Sequence, residues 1–167
     1  MTAPPWVHRA PPVRDTQSAR VGRWTPGTLA ELTVSRHALS AALHDGARPV
    51  AAAEGAVQRL LLAFEELVSN ALRHGRLPVE VTVTRTGRSW LLEVSDAAGD
   101  EAPTPAADRD PALGGLGLPL VARISAAHGW TVTAGRKVVW ASVDLTRPEA
   151  SDAPEGPRSR SGRRPSP

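Results

Sequence analysis

Cysteine is absent from the 167 residues. That excludes disulfide scaffolds, zinc ribbons, thiol nucleophiles and iron–sulfur clusters. No run approaches the roughly 18 unbroken apolar residues of a membrane-spanning helix. The segment Met1–Val7 has no apolar core of signal-peptide length. The expectation is a cytoplasmic protein with no membrane partner. Lysine is almost missing: Lys137 stands alone against nineteen arginines. With abundant alanine, glycine and proline, this reads as coding bias from a GC-rich genome rather than selection for arginine chemistry. A net basic charge on the central body is missing too, despite a pI near 10.8. Residues 1–20 and 147–167 each carry a net charge of +2, which leaves residues 21–146 at −1 out of an overall +3. The basicity lies in the two ends, so a nucleic-acid groove on the folded part is not implied.

The length suits one domain. Residues 1–20 hold four prolines and few large apolar residues, and residues 147–167 interleave Pro, Ser, Gly and Arg. Neither end has the apolar content that offsets ordering entropy. Both are expected to be disordered, an arm and a tail around a body at 21–146. Within the body, Val21–Trp24 suggests an edge strand. Thr28 is a plausible N-cap for a helix with Leu29, Leu32, Leu39 and Leu43 as its apolar stripe. A second helix is expected from about Pro49 to His74, stopped by Gly75, with Leu60, Phe64, Leu67, Val68 and Ala71 on one buried face. Val79, Val81 and Val83 alternate with polar residues and read as a half-buried strand, paired through the turn Arg85–Arg88 with a strand at Trp90–Ser95. The stretch 97–113 lacks periodicity and reads as a lid or binding loop, or else as a disordered segment. A helix at Leu118–His128 and a hairpin about Gly135-Arg136 complete the body. Helices on one face of a mixed, mostly antiparallel sheet make an α+β two-layer sandwich.

Three features could carry chemistry. Glu66 and Asn70 lie one turn apart on the second helix, and His74 continues their row. Such a row is either a solvent face or a pocket floor. As a floor, the Asn70 amide oxygen suits a hard cation such as Mg²⁺, and Glu66 could accept a proton from a hydroxyl. Glu65 points about 100° away. Asp96 follows an apolar strand. It is either a turn aspartate or the acceptor for an exocyclic amine such as that of adenine. Gly114-Gly115-Leu116-Gly117-Leu118 opens a helix, where free amides and missing Cβ atoms could cradle phosphates. It is neither a Walker A loop nor a dinucleotide fingerprint.

In their order and spacing these features resemble the ATP-binding domain of the GHKL superfamily, shared by gyrase, heat-shock chaperones, histidine kinases and mismatch-repair ATPases. Glu66-x-x-x-Asn70-Ala71-x-x-His74 looks like its N box. Asp96 falls where its first glycine box begins, and Gly115-Leu116-Gly117-Leu118 looks like its second. The ending His128-Gly129-Trp130 … Gly135-Arg136-Lys137-Val138-Val139-Trp140-Ala141 is similar to the stand-alone branch of anti-sigma-factor serine/threonine kinases. The resemblance covers about residues 21–146. It implies a Bergerat-type, histidine-kinase-like fold using ATP and Mg²⁺. Glu66 would be the general base and Asn70 the Mg²⁺ ligand. Asp96 would read adenine. His74, Gly99, Gly114, Gly115, Leu116, Gly117 and Leu118 would complete the nucleotide site under a lid.

The sequence departs from the family in two places. Ala98 stands where the first box usually has glycine, with Gly99 following, and Leu113 stands where the second box often has another glycine. The resemblance implies a kinase that phosphorylates an antagonist protein and binds a sigma factor. A nucleotide-dependent binding module without kinase activity is the alternative. Relatives often form homodimers. A histidine-kinase fragment is disfavoured, because His37 and His44 lack the surroundings of a phosphoacceptor. Direct DNA binding is disfavoured by the neutral body. Trp90, Trp130 and Trp140 read as core residues, Lys137 as a hairpin residue, and Arg109 as a solvated loop arginine.

Overall fold

A computed structural model describes residues 5–50, 52–103 and 116–146. The tail 147–167 lies outside these residues, as does most of the expected lid, including Arg109. Five strands form one sheet: β1 (Ala19–Trp24), β2 (Glu80–Arg85), β3 (Ser89–Asp96), β4 (Ala127–Thr133) and β5 (Arg136–Asp144), in the order β1-β2-β3-β5-β4. Every pairing between these strands is antiparallel. Among the described residues this replaces the expected mixed sheet with an antiparallel one, and parallel pairing is confined to an isolated bridge between His8 and Trp130.

Helices α1 (Leu29–Ala42), α2 (Glu54–His74) and α3 (Gly117–Ile124) cover one face. The α+β two-layer sandwich follows from alternation. Trp90, Leu92 and Val94 of β3 face the helices together with Val81 of β2 and Val139 and Ala141 of β5. The α2 face made by Leu60, Phe64, Leu67 and Val68 closes over them. Trp24 meets Phe64 edge-on with ring centres 5.5 Å apart, a favoured aromatic geometry.

Thr28 caps α1 as expected, accepting from the Glu31 N–H at 3.2 Å. Leu29 is 47% exposed, so the buried stripe is Leu32, Leu39 and Leu43 without it. A π-type turn at Leu43–Ala47 ends the α1 segment, with Gly46 at φ 110°. Helix α2 begins at Glu54, later than the sequence suggests, because residues before Ala53 are held by Arg48, which donates to the Ala52 carbonyl and pairs with Glu54. Helix α3 stops at Ile124, not at His128. Ser125 is already extended, and His128 belongs to β4. The β4–β5 turn places Ala134 and Gly135 both at positive φ, the twist that suits a two-residue hairpin.

The N-terminal arm differs most from its sequence reading. Residues 5–14 lie along the free edge of β4 and the uncovered face of the sheet. The Trp130 N–H donates to the Val7 carbonyl at 3.1 Å, and the Arg9 N–H donates to the Trp130 carbonyl at 2.8 Å. Trp6 Nε1 donates to the Leu118 carbonyl at 3.1 Å, and its ring packs on His128. Arg9 stacks over Trp140, whose Nε1 donates to the Arg9 carbonyl at 2.8 Å, and Arg14 pairs with Glu93. Tryptophan surface and edge hydrogen bonds order the arm without any apolar periodicity.

Candidate functional site

The apolar inner rows of β3 and β5 end in two charges. Asp96 ends the row Trp90, Leu92, Val94, and Lys137 precedes Val139 and Ala141 in phase with their row. The register pairs them directly across the sheet. Lys137 Nζ lies 3.4 Å from Asp96 Oδ2, with side chains 6% and 1% exposed. The other oxygen, Oδ1, accepts from the Ala98 N–H at 2.7 Å. Ala134 is the only non-glycine residue at positive φ among the described residues, so Ala98 needs no glycine conformation. Its methyl group is fully buried. The alanine in the first glycine box is thus accommodated without strain.

The end of α2 presses on this pair. Gly75 caps the helix, and a Cβ there would lie 2.6 Å from both the Ala71 carbonyl oxygen and Asp96 Cγ. Close approach, not conformational freedom, requires glycine here. The segment after Asp96 is tied down on both sides. The Ala97 N–H donates to the Arg76 carbonyl at 2.8 Å, and the Arg76 guanidinium pairs with Asp100 and Glu101. Gly99 lies against the Gly135 carbonyl so closely that a side chain would overlap it. Arg136 crosses the sheet end, donating to the Pro78 carbonyl at 2.7 Å and to Ser95.

The middle of α2 carries the second half of the site. Glu66 and Asn70 are half-buried, while His74 is exposed at the helix end. Gly117 opens α3 directly against Glu66, and a Cβ there would overlap Glu66 Oε2. The N box and the second glycine box therefore meet at a carboxylate. Burial raises the Glu66 carboxyl above the ordinary glutamate value, Glu65 adds to the rise, and Arg73 opposes it. Glu65 itself is exposed and pairs with Arg36 at 3.1 Å, so it faces away. Leu116 is exposed just before α3, and Leu118 is buried in the core. Gly114 and Gly115 lie outside the described residues.

The structure thus sets Asp96 against Gly75 at the end of α2 and Glu66 against Gly117, while Gly99 packs on the hairpin turn at Gly135. The absent side chains at Gly75, Gly99 and Gly117 let Asp96, the Gly135 carbonyl and Glu66 approach the backbone closely. No group of three or more His, Cys, Asp or Glu among the described residues could hold a metal. No helix among the described residues is long and apolar enough to cross a membrane. A separate cleft of about 410 Å³, lined by Arg20, Arg48 and Arg85 among others, includes none of these motif residues.

Lys137 is the residue that sequence reasoning missed. Its signal was the alternation of β5: counting back by two from Val139 puts the sole lysine on the buried face. A family model described as a histidine kinase-like ATPase domain matches residues 25–143. No curated protein matches the chain.

Proposed function

Because the chain belongs to the histidine kinase-like ATPase domain family, an ATP-binding family, we propose that it is a serine/threonine protein kinase of the anti-sigma-factor type. In this reading it transfers phosphate to an antagonist protein and binds a sigma factor as its regulatory partner. The observation that carries the reading is the contact of Glu66 with Gly117, where a carboxyl with a raised pKa sits beside the start of a helix.

Glu66 accepts the proton of the attacking serine or threonine hydroxyl, a role favoured by a pKa closer to neutrality. Asn70 would hold Mg²⁺ through its amide oxygen, and the bound cation would supply neutralisation of phosphate charge. Asp96 accepts from the exocyclic amine of adenine. The backbone amides of Gly114, Gly115, Leu116, Gly117 and Leu118 hold the phosphates, and Gly99 and His74 border the nucleotide. Phosphoryl transfer depends on positioning and charge neutralisation, which these groups supply without a catalytic lysine.

Transfer from γ-labelled ATP to candidate serine-bearing partner proteins tests the proposal. Wild type should label one of them in the presence of Mg²⁺. Glu66→Gln should still bind nucleotide but transfer about 100-fold more slowly, the usual scale for loss of a general base. Asn70→Ala should lose the Mg²⁺ dependence of binding. Undiminished transfer by Glu66→Gln would remove the assigned base. Nucleotide binding with no transfer to any partner would favour the binding-module alternative.

A further inference from the structure

We infer that Lys137 is a second reader of the base, a specificity-determining residue that works beside Asp96. The inference rests on the ATP-binding reading above and extends it to a residue outside the N box and the two glycine boxes.

Three observations converge on Lys137. It faces Asp96 as the last pair of the β3–β5 register before the hairpin turn. Its ammonium nitrogen is 3.4 Å from Asp96 Oδ2, and both side chains are almost fully buried. Asp96 Oδ1 is already engaged by the Ala98 N–H, so the carboxylate is fixed in orientation. Burying a lysine is costly unless it is paired, and breaking such a pair leaves an uncompensated charge. Neutralising Asp96 therefore explains part of its presence.

The chemistry of the pair goes further. An ammonium has three N–H donors, and the ion pair with Asp96 engages at most one of them. A carboxylate has lone pairs beyond the two contacts described for Asp96. An acceptor and a donor thus stand side by side where the inner face of the sheet meets the end of α2. Adenine presents the complementary pair, since its 6-amino group donates and the ring nitrogens flanking that position accept. Asp96 takes the amine, and Lys137 donates to the adjacent ring nitrogen. A site that hydrogen-bonds a group discriminates strongly against analogues lacking it, because its own buried polar atoms are then left unpaired.

Displacement of a fluorescent ATP analogue from the full chain reads this directly. The competitors are ATP, 1-deaza-ATP and 7-deaza-ATP, in each of which a carbon replaces one flanking nitrogen. One deaza analogue should bind at least about 10-fold more weakly than ATP to wild type. In Lys137→Met that difference should vanish. If neither analogue is weakened in wild type, Lys137 does not read the base. If Lys137→Met weakens all three competitors equally, the lysine only neutralises Asp96. Either result overturns the inference while leaving ATP binding intact. Failure of ATP itself to displace the probe would overturn the ATP-binding reading together with the inference. The wild-type comparison needs no variant, so a poorly folding Lys137→Met does not remove the test.

Discussion

Around Asp96, the carboxylate, the loop that follows it and the hairpin beside it are held by fixed partners: Lys137, the Ala98 amide, Arg76 and Arg136. Around Glu66, the carboxylate is half-buried, its pKa is raised by burial, and its close neighbour is the bare Cα of Gly117. The first end is built like a core, with the rigidity that the proposed reading of a base at Asp96 calls for. The second keeps a carboxyl in a costly setting, as a group that must exchange a proton requires. The difference separates what a substitution does to the fold from what it does to the chemistry.

The largest effect should come at the Asp96 end. Gly75→Ala puts a methyl 2.6 Å from the Ala71 carbonyl oxygen and Asp96 Cγ, so the helix end or the carboxylate must move. A loss of about 2–3 kcal/mol in denaturant unfolding is expected, as for overpacked cores. The control is Gly87→Ala, where no atom lies within 4 Å of an added Cβ, and it should be near neutral. Next is Trp6→Ala, which removes the Leu118 hydrogen bond and part of the arm's packing against α3. About 1–2 kcal/mol of stability should be lost, less than for a fully buried tryptophan.

Gly117→Ala should sharpen the contrast with Gly75. Its methyl meets the end of the Glu66 side chain, which can swing away. Stability should fall by less than about 1 kcal/mol, while phosphate transfer drops because the carboxylate is displaced. Equal stability losses at Gly75 and Gly117 would erase the distinction between the two ends.

The smallest effect is in the pH dependence of stability. With its folded-state pKa raised, Glu66 binds its proton more tightly in the folded than in the unfolded protein. Its contribution is fully favourable below the ordinary glutamate value and is lost as pH rises through the raised one. Glu66→Gln should flatten that part of the profile in unfolding curves taken across this window. An unchanged profile would mean that Glu66 is not buried in solution as it is here.

Much of this was legible in the sequence where periodicity or spacing encodes it. The four-residue step from Glu66 to Asn70, the alternation of Val79, Val81 and Val83, and the Thr28 cap all carry local physics. The arm did not show itself, because Trp6 and Arg9 act through single long-range contacts with Leu118, His128 and Trp140 that leave no repeat. The end of α3 was misplaced because Ala126, Ala127 and His128 suit a helix locally, whereas pairing with β5 decides for a strand. Ala98 reads as a departure from a glycine motif, and only the structure shows that its backbone has no positive φ. Lys137 was overlooked because its meaning depends on register: only the pairing of β3 with β5 sets it opposite Asp96.

The most direct measurement is calorimetric titration of the full chain with ATP in the presence of Mg²⁺, for wild type and for Asp96→Ala. Wild type should bind one ATP per chain, and Asp96→Ala should bind about 100-fold more weakly, the scale of one charged hydrogen bond lost from a buried site. Equal affinity in the two proteins, or no binding by wild type, would contradict the placement of the nucleotide between Asp96 and Glu66.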